Sequence, residues 1–388
     1  MAIINAPLAG LQALSKGYRV AIIHDWLVVS GGAEKVLDAL LQAFPHAEVF
    51  TTVYAMPQEE RGRLAEHVVH TSWLQRLPRI RDHYRYYLPV MPKVMARFDL
   101  SRFDLVISSS HAVAKGVVTH SGQRHLCYCH TPMRYAWEMR DDYLRDARYP
   151  APLSWCAERM LERLRRWDAA TAAGVDHFVA NSANVAGRIR RYYRRESSVI
   201  HPPVDLDAFP FDPSPRDDFY LAASRLVPYK RLDIVVEAFR GMPNKRLRVV
   251  GDGPERGRLE ALAAGAENIE ILGYQPRDVL RRLMTQARGF VFAADEDFGI
   301  MPLEAQAVGT PVLALGRGGA LETVLGPEHG DAATGLFFAD QCADSLRAGL
   351  NAFETLAIDP QACRRQAERF STEQFWSRWQ SLLTSSLS

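Results

Sequence analysis

Cysteine is scarce in this chain: five in 388 residues, Cys127, Cys129, Cys156, Cys342 and Cys363. So few, and odd in number, they exclude a disulfide framework as the basis of the fold and make a reducing cytoplasm the expected setting. No apolar run approaches the ~20 residues that a membrane-spanning helix needs. Residues 1–16 have no basic stretch ahead of their apolar residues and no convincing cleavage site, so no signal peptide is expected. Excess charge of one sign is also missing. A net charge of +2 argues against nucleic-acid binding by the whole surface, while leaving room for local basic patches. What is present, 47% hydrophobic and 24% charged residues, is ordinary for a soluble globular protein with length for two domains.

The most informative stretch is GFVFAADEDFGIMPLEAQAVGTPVLAL, residues 289–315. Gly289 to Ala293 reads as a strand buried on both faces. The acidic loop Asp295-Glu296-Asp297, then Phe298-Gly299, leads into a short helix with Pro302 in its first turn, where proline is tolerated. Gly309 ends that helix and a second buried strand follows. A helix N-terminus is thus delivered to the carboxyl end of a parallel strand, the usual ligand position in open α/β sheets. The N–H groups near Gly299, Ile300 and Met301, with the helix dipole, are predicted to hold an anion. Glu296 before the helix and Glu304 one turn inside it would accept hydrogen bonds from hydroxyls on either side of that anion. A sugar–diphosphate–ribose ligand suits this pattern.

A second motif, Ser224-Arg225-Leu226-Val227-Pro228-Tyr229-Lys230-Arg231, follows the strand FYLAAS. Arg225 is placed at the strand end and Lys230 at a helix start, where the dipole disfavours a cation unless an anion is bound. Together they could neutralise a diphosphate. The two acids with seven residues between them, Phe-Gly among those, and this Arg/Lys pair, resemble the retaining glycosyltransferases of the GT-B fold, family 4. The resemblance runs from His24 to the C-terminal tail. HTPMRYAWE (130–138) and SRLVPYKR (224–231) look most like bacterial GDP-mannose-dependent mannosyltransferases of O-antigen, lipopolysaccharide and exopolysaccharide assembly.

The rest of the chain alternates strand and helix in two halves without a sequence repeat, so the expected class is α/β with two Rossmann-like domains facing across a cleft. The expected bounds are 1–201 for an acceptor domain, 202–371 for a donor domain after the proline-rich connector HPPVDLDAFPFDPSPRDD, and 372–388 for a Trp-rich helix that the resemblance sends back onto the first domain. Tyr18 to His24 reads as the first strand, with Gly31 and Gly32 opening the next helix as a ligand-approach loop. His130, just past the strand HLCYC, is read as a cleft residue, with a core histidine as the alternative. Cys127 and Cys129 share one strand face and His130 the other, which argues against a metal site. Asp205 and Asp207 are read as turn chemistry rather than a metal pair. Asn181-Ser182 is a helix cap. Arg76 to Phe98, RLPRIRDHYRYYLPVMPKVMARF, is basic and aromatic with little acid. Contact with an anionic membrane, acceptor binding, and a solvated face with its apolar side in the core are all open for it.

What the resemblance implies is a metal-independent, retaining transfer from a nucleotide sugar to a glycan or lipid-linked sugar acceptor. Arg225 and Lys230 would bind the diphosphate, Glu304 the ribose, and Glu296 and His130 the transferred sugar. Gly31, Gly32, Gly253, Tyr274, Phe298, Gly299, Ile300 and Met301 would line the donor. A UDP-sugar donor, an epimerase or phosphorylase of the same architecture, and a non-catalytic sugar-nucleotide-binding protein are the rival readings. No cofactor and no nucleic-acid partner are expected.

Overall fold

The computed structural model describes residues 6–146 and 150–387. The chain divides into two units, one running to Pro203 and resuming at Glu373, the other spanning Val204–Thr372. Each is an all-parallel sheet covered by helices on both faces.

The first sheet contains β1 (Val20–His24), β2 (Glu48–Thr51), β3 (Val69–Thr71), β4 (Leu105–Ser110), β5 (Arg124–Cys129), β6 (His177–Ala180) and β7 (Ser197–Val199). Their spatial order is β3-β2-β1-β4-β5-β6-β7. Strand β1 shows why both faces are apolar. Val20 and Ile22 enter one core, and Ala21 and Ile23 enter the other, as the two-residue period requires. The chain moves outward from β1 through β2 to β3, then returns to lay β4 on the other side of β1. Crossovers therefore leave β1 and β4 in opposite directions, and their carboxyl ends flank an open crevice.

The second unit repeats the plan. Its strands are β8 (Tyr220–Ala223), β9 (Leu247–Val250), β10 (Ile269–Gly273), β11 (Gly289–Phe292), β12 (Val312–Leu315) and β13 (Gly335–Phe338). Their order is β10-β9-β8-β11-β12-β13, so here the switch falls between β8 and β11. Tyr220 and Ala222 pack on one side of the sheet, Leu221 and Ala223 on the other.

The last helix, Thr372–Leu387, joins the core of the first unit. Trp379 is fully buried and stacks on Tyr128 with ring centroids 6.2 Å apart. Trp376 donates its indole N–H to the Ala39 carbonyl at 3.1 Å. Trp379→Ala is therefore expected to cost the first unit ~3–5 kcal/mol in urea unfolding, and a loss below ~0.5 kcal/mol, typical of surface sites, would rule this role out.

Residues 76–98 form no single helix. They break into the α-helical turn Ile80–His83, the 3-10 turn Tyr84–Tyr87 and the short helix Met91–Met95. Ile80, Tyr84, Met91, Val94 and Met95 are buried, while Arg76, Arg79, Arg81, Arg85, Lys93 and Arg97 are exposed. The helix Ala6–Ser15 and the edge strand β3 had no counterpart in the sequence reading. The long helix Ala151–Thr171 precedes β6.

Candidate functional site

In the second unit the two sequence motifs meet, because they follow the two strands that flank the switch. The loop after β8 carries Arg225 and Lys230, and the loop after β11 carries Glu296. Lys230 Nζ and Glu296 Oε1 are in direct contact as an ion pair, each side chain about one-sixth exposed. Arg225 is exposed and its guanidinium makes no ion pair among the described residues. Beyond Glu296, Gly299 (φ 91°) turns the chain into the helix Ile300–Ala307, whose start has no side-chain cap. Glu304 lies one turn inside and is 4% exposed. An anion at the helix start would thus have two cations, a carboxylate and uncapped N–H groups around it.

Lys230 is not where the sequence reading put it. It ends a 3-10 turn, Pro228–Lys230, and the following helix begins only at Leu232, after Arg231 in the left-handed region (φ 52°). The argument from that helix dipole falls away. What holds Lys230 is Glu296. Phe298 is also corrected: its side chain is 3% exposed and packs with Val204, Leu303 and Phe370, so only its backbone can face a ligand. The aromatic ring anchors the loop from beneath.

Two glycine loops shape the site: one after β12, which has no counterpart among the sequence expectations, and that of Gly253, expected to line the donor. Gly318 and Gly319, after β12, press against the acidic loop, and the Gly319 N–H donates to the Glu296 carbonyl at 2.8 Å. A Cβ on Gly319 would lie 2.2 Å from the Phe298 Cα, and Gly318 has φ 63°. A glycine pair directly after a buried strand was the available signal. Gly253 (φ 153°) plays a similar part beside Arg225: a Cβ there would lie 2.4 Å from the Leu226 carbonyl oxygen. Its neighbour Asp252 accepts the Leu226 N–H at 2.9 Å through its carbonyl. Gly253 therefore sets the backbone that presents Arg225. Tyr274, past β10, is 73% exposed at the same edge of the sheet. Gly319→Ala should abolish most of the thermal shift produced by a bound nucleoside diphosphate, and an undiminished shift would show that the loop tolerates displacement.

In the first unit, Gly31 is the N-cap of the helix Gly32–Ala43 with an ordinary extended φ of −148°. No positive φ demands glycine there. His130 is 8% exposed and its Nε2 lies 2.8 Å from Ser109 Oγ. Burial first, then the nearby His111 and His24, push its pKa well below the usual histidine value, so it is neutral. It belongs to a buried polar cluster that also contains His24, Asp25 and His111, which the sequence reading did not single out as a site. Cys127 and Cys129 pack with Phe178 and Val185, away from any shared centre with His130. Asp205 accepts from the Ala208 N–H at 3.1 Å and pairs with Arg277 at 2.9 Å, which is turn chemistry. Ser182 caps the helix Ala183–Tyr193 through the Val185 N–H.

Two family models match the chain and adjoin: Glycosyltransferase Family 4 over residues 30–208 and Glycosyl transferases group 1 over residues 203–370. The chain belongs to the group 1, family 4 glycosyltransferases. It is 22% identical to the sulfoquinovosyl transferase SQD2 of Arabidopsis thaliana, over 95% of this chain and 73% of that protein. It is 33% identical to the D-inositol 3-phosphate glycosyltransferase of Geodermatophilus obscurus, over 52% of this chain and half of that protein. Among solved structures it is similar to Anabaena HepE in complex with UDP-glucose, with a TM-score of 0.67 and 18% identity over 95% of this chain and 99% of that one. The sucrose-phosphate synthase of Thermosynechococcus elongatus gives a TM-score of 0.70 at 17% identity, over 95% and 99% of the two chains. These likenesses give this glycosyltransferase the GT-B architecture, two parallel-sheet Rossmann-like domains.

Proposed function

We propose that this glycosyltransferase is a retaining, metal-independent enzyme that moves an α-mannosyl group from GDP-mannose to a glycan or a polyprenyl-diphosphate-linked sugar in cell-surface polysaccharide synthesis. The observation that carries the reading is the meeting of Arg225, Lys230 and Glu296 at the β8/β11 switch, beside the uncapped helix start at Ile300. Arg225 and Lys230 supply positive charge where a diphosphate leaving group gains negative charge, the kind of stabilisation worth most in a preorganised site. Those fixed cations and the N–H groups take the place a divalent ion would otherwise fill. Glu304 binds the ribose hydroxyls, and Glu296 holds the transferred sugar once the diphosphate has drawn Lys230 away. His130, neutral and buried, is a member of the first unit's own polar cluster. The mannosyl assignment rests on the likeness of residues 130–138 and 224–231 to GDP-mannose enzymes.

A UDP-sugar donor is the second reading, favoured by the similarity to a protein solved with UDP-glucose. Thermal-shift titration with GDP, UDP and ADP, each with and without EDTA, separates the two. A shift with GDP alone, unchanged by EDTA, is expected. A shift with UDP alone would replace the donor, and dependence on a divalent ion would overturn the metal-free reading. No shift with any nucleotide would remove the donor site.

Among the described residues no helix is long and apolar enough to cross a membrane. The exposed cations of residues 76–97, with Trp73 and Tyr86 exposed beside them, suit peripheral contact with an anionic bilayer at the cytoplasmic face. Flotation with anionic liposomes, lost in high salt, is the expected result.

A further inference from the structure

The crevice between β1 and β4 holds a polar cluster that the donor chemistry does not use. Asp25, just past β1, is fully buried. Its Oδ2 accepts the N–H of His111 at 2.7 Å and of Ala112 at 3.1 Å. Its Oδ1 accepts the N–H of Val113 at 2.5 Å and of Ala114 at 2.6 Å. Oδ2 also lies 2.9 Å from His111 Nδ1. Burial alone would raise the carboxyl pKa, but His111 and the N–H groups outweigh it and hold Asp25 ionised. Its lone pairs are filled by donors, so its charge is spent inward.

His111 is different. Its side chain is one-quarter exposed, and with Nδ1 on Asp25 the outer ring nitrogen Nε2 has no protein partner among the described residues. Burial would lower the imidazole pKa, yet Asp25 first and Glu34 behind it raise it above the usual value, against the opposing charge of Arg85. Among its charged and titratable neighbours Arg85 makes no ion pair, and the buried hydroxyl of Tyr135, close to both Asp25 and Arg85, has no hydrogen-bond partner among the described residues. His24, fully buried, lies 3.1 Å from Ser109 Oγ and 3.5 Å from Glu34, which occupies that carboxylate. His130 is neutral. The Trp26 ring meets His111 edge-on at 4.8 Å and Tyr84 at 5.3 Å, and Arg85 lies over the Tyr84 ring at 5.1 Å. The Arg85 guanidinium is exposed and makes no ion pair among the described residues.

A second observation points the same way. Arg76, Arg79, Arg81, Arg85, Lys93 and Arg97 are all exposed, and none forms an ion pair among the described residues. Asp82 is the one acid between them. A fold that pairs so many of its other arginines leaves this face as uncompensated positive charge, which draws anions toward it. We propose that His111, held on Asp25, and Arg85 form an anion subsite for a phosphate group, fed by the basic face from Arg76 to Arg97. The site stands on the first unit alone, whatever the donor proves to be. If the transferase reading also stands, the phosphate is one carried by the acceptor.

The test follows the His111 ring signal by NMR in the full chain, assigned with His111→Gln, as pH is varied. A bound anion favours the imidazolium, so inorganic phosphate should raise the His111 midpoint by about half a pH unit, roughly a threefold preference for the charged form. Phosphate binding should be present below that midpoint, fall away as pH rises through it, and be lost in His111→Gln and Arg85→Gln. Vesicles of phosphatidylglycerol are compared with vesicles of phosphatidylcholine. A shift with phosphate itself identifies a soluble phosphate ligand. A shift confined to the phosphatidylglycerol vesicles identifies a lipid headgroup. A midpoint unmoved by either, in folded protein, overturns the subsite, and does so without touching the nucleotide titrations that test the donor site.

Discussion

Glu296→Ala, Lys230→Ala and Arg225→Ala should each lower transfer by about 10²–10³-fold while the protein stays folded. All three side chains sit on loops at the carboxyl edge of the second sheet, not in its core, so stability should change little. The ion pair sharpens the expectation. In the free protein Glu296 neutralises Lys230, and an incoming diphosphate must compete with that carboxylate. Glu296→Gln removes the competitor and one repelling charge. It should therefore bind a nucleoside diphosphate more tightly than the wild type and still transfer poorly, because the sugar has lost its carboxylate. Lys230→Ala should lose both binding and transfer. The double variant should fall short of the sum of the two losses, since the residues share one interaction. Near-normal turnover in all three single variants would sink the site.

Asp168→Ala should cost the first unit ~3–5 kcal/mol, because it strands a buried cation. Asp168 and Lys115 are essentially inaccessible and pair at 2.7 Å. The other carboxylate oxygen accepts the Trp137 indole N–H and the Tyr193 hydroxyl, each at 2.8 Å. Lys115 also donates to the Asp168 carbonyl at 2.7 Å and to Thr171 at 2.9 Å. Lys115 follows the four N–H groups that Asp25 holds, so the pair ties the β4 end to the long helix Ala151–Thr171. Lys115→Met should cost less than Asp168→Ala. It leaves Asp168 with two donors still in place, whereas Asp168→Ala orphans a cation and two donors together. Urea unfolding followed by tryptophan fluorescence gives both values, and the reverse order would refute the account.

The strands were legible because parallel strands buried on both faces read as short apolar runs. Tyr18–His24, GFVFA and the apolar run after Gly309 each form a strand within about two residues of the expected span. The Arg225–Lys230 and Glu296–Glu304 motifs were legible because a strand end followed by glycine and charge is unusual locally. Residues 76–98 were not, since alternating cations and aromatics fit a helix, a membrane surface or a core-lined turn equally well. Gly31-Gly32 and Gly318-Gly319 show the limit from the other side. Gly31 has an extended φ and only the Glu34 side chain near its Cβ position, whereas Gly318 has a positive φ and both Gly318 and Gly319 have a neighbour's backbone where a Cβ would be. Close approach is a property of two segments, and a sequence window contains one.

By itself, then, the sequence determined the α/β class, the two halves and the residue types of the donor loop, because those depend on local periodicity and turn chemistry. The tertiary structure alone decided which loops become neighbours. Strand order β10-β9-β8-β11-β12-β13 brings Lys230 onto Glu296 across 66 positions of chain, and β1 beside β4 brings Asp25 onto His111. Such pairings are set by the direction of crossovers around a switch point, where the whole apolar sheet chooses its order before any one charged residue finds its partner.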